Sequence, residues 1–506
     1  MKKKSLFLCS TLALFSVGGL AGCVPQNTNT IVVWVGSESV EYYRDLSKQF
    51  LAENLGFGYK ISIIGADTGS VGGTMVADNT ACGDIVTIAH DNIGKLSRLS
   101  YIAPIVDSEQ ESQELLDQID RDNPESFKKV ITNILSKDTS YTYTFAVPYI
   151  SQALFLYYDT RYVTDTEADT FEGLEQAAKR YDQKNGLEGT KSYTVTGTDG
   201  YNFSFTLLAR NVTDGQNTST LRLFEGGSDI DCYAQSNEEV AIMRWMQRSY
   251  ASKNGVLLES DAPWSTNIEQ HKALAVIGGA WHYNSFKKAV TDENGNVNMG
   301  CKAIPTFELK PEDVAGINEV NYPNDRGIPE ELRGKVDPAP KAGTVMRGGS
   351  FVDCKCFVIN MAKMTGAEKY YKMCTLLKYF STVQAQNESF IKCLNVPAYE
   401  GADQFIEEHK DDVEHTGYLM ARSQTGMSSY GIPQPFYTGT LNTFYYSMKA
   451  PEQYVACVEK KEGVGETVDD IRQVLFRMEY IWKQGAAPAS SLMPTTFPSQ
   501  TSDRIK

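Results

Sequence analysis

Ile31-Val32-Val33-Trp34-Val35 is an unbroken apolar run, β-branched at four of its five positions. A strand with one wet face would alternate polar and apolar residues. A continuous run suits a strand covered on both faces, as in a parallel sheet layered between helices. The flanking sequence supports this reading. Positions 41–54 place Tyr42, Leu46, Phe50 and Leu51 at helical spacing, Tyr59-Lys60-Ile61-Ser62-Ile63-Ile64 reads as a second strand, and Gly83-Asp84-Ile85-Val86-Thr87-Ile88 reads as a third. Strands alternating with helices predict an α/β fold on a parallel sheet.

The same pattern resumes further on. Strands are predicted at 153–158, 192–197, 273–278, 301–305 and 351–360, and helices at 170–180, 238–251, 367–382 and 467–483. The helix at 238–251 is amphipathic, with Val240, Ile242, Met243, Trp245 and Met246 as its apolar side. Residues 307–347 are rich in Pro, Gly and charge and are predicted to form a surface insertion. The Pro/Ser/Thr-rich tail 486–506 is expected to be loosely ordered.

Lys2, Lys3 and Lys4 precede an apolar stretch over 5–20, which ends in Leu20-Ala21-Gly22-Cys23. Charge, apolar run and small-residue cleavage site, in that order, define a secretory signal over 1–22. A Cys after Leu-Ala-Gly resembles the bacterial lipobox, so Cys23 is expected to become an acylated N-terminus carrying diacylglycerol and palmitate, followed by a tether over 23–30. The chain is then anchored to the outer face of the cell membrane without spanning it. The remainder, about 480 residues, exceeds one ordinary core and predicts two or three lobes. Hydrophobic content of 42% fits a packed globular chain. Loss of the three signal lysines takes the net charge from −15 to −18, which repels phosphate backbones and argues against nucleic acid. Of ten cysteines, eight outlast signal cleavage and lipidation, and several sit in apolar runs, where a free thiol behaves as a small hydrophobe. Cys354-Lys355-Cys356 lacks zinc-site spacing, and five histidines are few for a metal cage. No phosphate loop, Gly-x-Ser-x-Gly or Ser/His/Asp set is found, so no metal, cofactor or catalytic residue is expected.

Six stretches in order resemble the family of extracellular solute-binding proteins typified by the bacterial maltose/maltodextrin-binding proteins. They are 31–36; Gly83-Asp84-Ile85-Val86-Thr87-Ile88-Ala89-His90-Asp91; 146–158; Ala275-Val276-Ile277-Gly278-Gly279-Ala280-Trp281; Ile304-Pro305-Thr306-Phe307; and Tyr430-Gly431-Ile432-Pro433-Gln434-Pro435 with Phe444-Tyr445-Tyr446. The resemblance implies a two-lobed, periplasmic-binding-protein-like α/β fold with three crossover hinge strands, near 149–152, 301–305 and 393–397. The first lobe would comprise 31–148 and 301–392, including the insertion 307–347. The second would comprise 149–300 and 393–485. It further implies a monomeric, non-enzymatic receptor that closes on a sugar or oligosaccharide and delivers it to the permease subunits of an ABC importer. Two other readings stay open, a surface carbohydrate-active hydrolase and a receptor for a non-sugar solute.

Sugars present apolar C–H faces that stack on aromatic rings and hydroxyl edges that need placed donors and acceptors. Tyr outnumbers Phe and Trp together, 28 against 22 and 5, which suits such a lining. Trp281, after a strand and a Gly-Gly pair, is the leading stacking candidate, with a core position as its alternative. Tyr283 follows as a second candidate. Tyr201 matches the family's loop aromatic, against packing on its own lobe, and Tyr445 is the candidate within the 444–446 triplet. Ser37, Glu38 and Asp91 lie just past the first and third strands, where open α/β sheets bind ligands. Asp91 could equally cap a helix. Gln152 at the crossover could offer an amide to a hydroxyl or face water, and Trp34 is read as core.

Overall fold

The structure is a computed structural model and describes residues 29–105, 132–135, 142–195, 205–213, 235–250, 257–259, 263–322, 332–428, 432–433, 456–458, 460 and 463–476. Cys23, Tyr201, Cys232 and Tyr445 lie outside these residues. Its framework runs β1 (Thr30–Gly36), β2 (Lys60–Ala66), β3 (Ile85–Ala89), β4 (Val147–Gln152), β5 (Phe155–Asp159), β6 (Ala275–Gly278), β7 (Met299–Lys302), β8 (Thr306–Glu308), β9 (Val345–Arg347) and β10 (Phe351–Asn360), with short strands between them. The helices that position the site are α1 (Val40–Glu53), α2 (Asn237–Tyr250), α3 (Tyr283–Val290), α4 (Ala367–Phe380), α5 (Val383–Cys393) and α6 (His415–Ser428). Among the described residues, no helix is long and apolar enough to cross a membrane.

β1 lies between β2 and β3 and runs parallel to both. β10 is antiparallel to β3 and to β4, so β4 runs the same way as β1. The all-buried β3 and the alternately fully and partly buried β1 explain the continuous apolar runs. Asp84, at the entry to β3, is buried. It accepts the Val32 N–H at 2.7 Å and pairs with Lys369 of α4, so its charge ties two layers of the lobe together. A second sheet places β5 between β6 and β7, antiparallel to both.

Two separate hydrophobic cores show where the chain changes lobe. One draws on 31–150 and 354–398, the other on 153–346 and 390–475. The chain therefore first changes core between Ile150 and Ala153, and 153–154 link β4 to β5. The second crossing is 348–350, between β9 and β10. The third is a weave around 394–396, where Val396 packs into the second core and Ala398 into the first. This corrects the expectation that 301–305 returns to the first lobe. β7 pairs with β5, and β8 pairs with β9 in a small sheet of the second lobe.

The segment 307–347 accordingly belongs to the second lobe and covers α2. Phe307 stacks on Trp245 with ring centroids 3.9 Å apart and planes at 22°. Arg248 makes a bidentate pair with Asp313, which is 1% exposed, at 3.0 and 2.8 Å. The Asn237 amide donates to the backbone carbonyls of Asp337 and Asn318 at 2.9 and 3.0 Å. A helix whose sequence shows an amphipathic stripe is thus enclosed on its polar side too. There burial holds the Glu239 carboxyl far above the usual carboxylate range.

The crossings are tied to each other. The Ser151 N–H donates to the Val396 carbonyl at 2.8 Å, and the Leu154 N–H to Ser350 Oγ at 2.8 Å. The Ala153 N–H donates to Oε1 of Gln424 on α6 at 3.1 Å. Phe307→Ala should lower unfolding free energy by about 3–5 kcal/mol, the cost of emptying a stacked aromatic site. Urea titration followed by circular dichroism measures this, and a loss below about 1 kcal/mol would mean that 307–347 does not pack on α2.

Candidate functional site

Strand direction decides where a ligand can sit. β1, β2, β3 and β4 run parallel, so Gly36, Ala66, Ala89 and Gln152 all end at one edge of the first sheet, the edge from which the chain crosses. In the second sheet Phe155, the first residue after the crossing, pairs with Gly278 at the end of β6. The edges facing the crossing therefore carry strand carboxyl ends from both lobes, the position where open α/β sheets hold ligands.

At three of these ends the same local device appears: strand, one 3-10 turn, helix. The turns are Ser37–Ser39 after β1, His90–Asn92 after β3 and Ala280–His282 after β6. Such a turn closes within three residues before the helix begins, with Ser39 and His90 buried and Trp281 exposed. Ser37 and Glu38 are exposed on the first turn. The Glu38 carboxylate folds back over Gly36, where a Cβ would come within 2.2 Å of its Oε1. Beside it, burial first and the Glu38 charge second push the Cys393 thiol up to about 11. Asp91 occupies the middle of the second turn, and its side chain lies outside the described residues. Trp34 packs against the first core. Asp67, exposed just past β2 and next in register to Gly36, went unremarked in the sequence. Its Oδ1 accepts the Gly69 N–H at 3.1 Å. The signal was the Asp67-Thr68-Gly69-Ser70 turn following a strand.

On the second lobe Trp281 is 45% exposed. Its indole lies back over Gly279, where a Cβ would meet the ring at 2.1 Å, so only glycine leaves room for it. A relay of rings supports the indole from behind. Trp281 meets His282 at 5.6 Å, His282 meets Trp264 at 4.8 Å, and Trp264 and Tyr157 stack on Phe286 at 6.3 and 5.1 Å. The Tyr157 hydroxyl donates to the Gly279 carbonyl at 3.0 Å and fixes the turn. Tyr283 departs from its expected role. It starts α3, turns into the second core and is 5% exposed. Its hydroxyl contacts the Glu414 carboxylate, and Thr416 at 2.8 Å, so neither the ring nor the hydroxyl is offered to a ligand.

Gln152 ends β4 at the crossing. Its Oε1 is buried and has no hydrogen-bond partner among the described residues, so an acceptor stands at the crossing edge. Ser37, Glu38, Asp91 and Gln152 thus share one sheet edge, and Trp281 lies at the facing edge of the other. Tyr201 and Tyr445 fall outside the described residues. A surface cavity of about 560 Å³ lined by Arg161, Glu269, His271, Lys288 and Asp292 belongs to the second lobe but sits beyond Asp159, at the far end of β5 from the crossing, and is not part of this cleft. Among the described residues no group of three or more His, Cys, Asp or Glu side chains could hold a metal ion. Cys82, Cys301, Cys354, Cys356, Cys374, Cys393 and Cys457 are unbonded.

Two lobes with separate cores, three crossings and strand carboxyl ends turned toward the junction define the fold of a hinged solute-binding protein. Residues 45–417, well over half of the sequence, match the bacterial extracellular solute-binding protein family, and the chain belongs to it. The family acts outside the cytoplasm. The fold is similar to that of a maltodextrin-binding protein from L. casei BL23 without ligand, at a TM-score of 0.64 and 14% identity, covering 90% of this chain and 98% of that one. It is also similar to a maltose-binding periplasmic protein from Listeria monocytogenes in complex with maltose (TM-score 0.57, 14% identity, 89% and 96% covered). A maltose/maltodextrin-binding domain from Bdellovibrio bacteriovorus bound to maltotriose gives a TM-score of 0.56 at 14% identity, with 90% and 99% covered. No curated protein matches the sequence at a significant level.

Burial holds the His282 imidazole down to about 4, so it is neutral beneath the exposed indole at physiological pH. An unfolded His takes up its proton near pH 6.5, while the folded one resists until about 4, so stability falls as pH drops through that window by up to about 3 kcal/mol. His282→Gln should remove this component. Unfolding free energies of both proteins between pH 7 and 4 test it, and parallel pH profiles would refute a buried neutral imidazole.

Proposed function

We propose that the chain captures a saccharide between its lobes, performs no chemistry on it and hands it to the permease subunits of an ABC importer. The observation that carries this reading is Trp281, a large apolar face held open to solvent at the crossing edge by a turn and a relay of rings. The exposed part of its ring offers the kind of flat apolar surface on which the C–H face of a pyranose stacks. Ser37, Glu38, Asp67 and the Gln152 carbonyl are acceptors at the facing edge, suited to hydroxyl donors. The family membership and the maltose and maltotriose named for similar structures support the same class of ligand. Ser37, Glu38, Asp91, Gln152 and Trp281 are the contact residues proposed, with Tyr201 and Tyr445 as further stacking candidates.

A thermal-shift screen against mono- and oligosaccharides should find a ligand that raises the melting temperature by mass action. Trp281→Ala should weaken that ligand's binding by about 1–3 kcal/mol and leave the unliganded melting temperature in place. Binding that survives the substitution unchanged would remove Trp281 from the site, and release of shortened saccharide on long incubation would favour a hydrolase.

We further propose that Cys23 carries the lipid that keeps the receptor at the membrane, on the strength of the Leu20-Ala21-Gly22-Cys23 box. Protein expressed in a bacterial host should partition into the detergent phase of a phase-separating surfactant, and Cys23→Ser should move it to the aqueous phase. Equal partitioning of both would exclude the anchor.

A further inference from the structure

Helix α5 ends on a residue that does not favour the conformation it adopts. Leu394 has φ 59° and ψ 25°, in the left-handed region, at a position where helices ordinarily place glycine. Side chains are held there when the surroundings over-determine them. The Leu394 side chain reaches across to α6 of the second lobe, against Gly417, where an added Cβ would lie 2.6 Å from its Cδ2. The next residue, Asn395, is 8% exposed and uses both amide protons, one on Ser39 Oγ at 2.8 Å and one on Ser389 Oγ at 2.8 Å. Ser39 is fully buried and closes the 3-10 turn that presents Ser37 and Glu38. One residue further on, the Val396 carbonyl accepts the Ser151 N–H of β4. Three consecutive residues thus touch the second lobe, the ligand-facing turn of the first lobe, and the end of β4 beside the first crossing.

We propose that Asn395 is a positioning residue for ligand capture. Through Ser39 it holds the Ser37–Glu38 turn in register with the third crossing, and the left-handed Leu394 fastens that crossing to α6. Asn395 itself touches no ligand. Its effect on saccharide affinity rests on the function proposed above, whereas its effect on the turn does not. When Leu394 shifts with α6 during hinge motion, the amide that orients Ser39 shifts with it.

The test uses the full chain. Amide hydrogen exchange of the unliganded protein is measured for wild type, Asn395→Ala, Ser39→Ala and the double variant. Each single variant should speed exchange in the 36–40 segment by about tenfold, the worth of one buried hydrogen bond, and leave the centre of α1 unchanged. The double variant should exchange no faster than either single one, because both remove the same bond. Unchanged exchange in 36–40, or effects that multiply in the double variant, would overturn the proposal. If Asn395→Ala does not fold, Ser39→Ala alone carries the comparison. Titration with the saccharide found in the thermal screen should show both single variants weakened by a similar factor. A wild type that binds no saccharide would defeat the proposed function, while the exchange data would still decide the role of Asn395.

Discussion

Where β4 leaves the first sheet and before β5 joins the second, the backbone has no neighbouring strand, yet its N–H groups still need acceptors. Ala153 finds one in the side chain of Gln424 on α6 and Leu154 in the hydroxyl of Ser350 in the second crossing, while Ser151, still within β4, donates to the Val396 carbonyl of the third. Side-chain acceptors rotate with their rotamers, whereas ladder bonds lock a strand to its sheet. The connection is thereby kept satisfied while the two sheets remain separately rigid, the condition a hinge has to meet. Each lobe brings its own core to that junction, and Ala153 and Leu154 already belong to the second.

The site inherits its order from this arrangement. Ser37, Glu38, Asp91 and Trp281 do not sit on long loops. They sit on single 3-10 turns clamped between a buried strand and a helix, so their backbones are as well fixed as the cores behind them. Trp281 shows the cost and the benefit together. Its turn requires glycines at 278 and 279, and its ring leans on His282 and Trp264, so an apolar face is presented to water in one defined pose. A preorganised face loses less freedom on binding than one that must be ordered by the ligand.

Much of the framework was legible in the sequence because it depends on local pattern. β1 and β3 read correctly since strands covered on both faces stay apolar throughout. What escaped depended on distant partners. Residues 301–305 look like a strand whether they pair with β5 or cross to the other lobe, and only the Gly348-Gly349-Ser350 break marks the true departure. The polar side of α2 gave no hint that Asp313 and Asp337 would arrive from the 307–347 segment to cover it. Trp281 and Tyr283 are two residues apart and chemically alike as stacking groups, but the turn sends one outward while Glu414 and Thr416 draw the other in. Asp67 follows a strand with partly wet faces, whose mixed pattern marks its end less sharply than the apolar run of β1 marks Gly36.

The unbonded cysteines bear on how the chain survives outside the cytoplasm, where thiols meet oxidants. Six of the seven described are buried, and although the Cys354 and Cys356 sulfurs lie 3.5 Å apart, both are shut away from solvent. The seventh, Cys393, is half-buried and held as the unreactive protonated form by burial and the neighbouring Glu38 charge. Durability toward oxidation is therefore a property of the packed state alone. A newly exported chain has no such shelter until its two cores close, so the speed of folding, more than any covalent staple, sets how much of it escapes cross-linking into dead-end species.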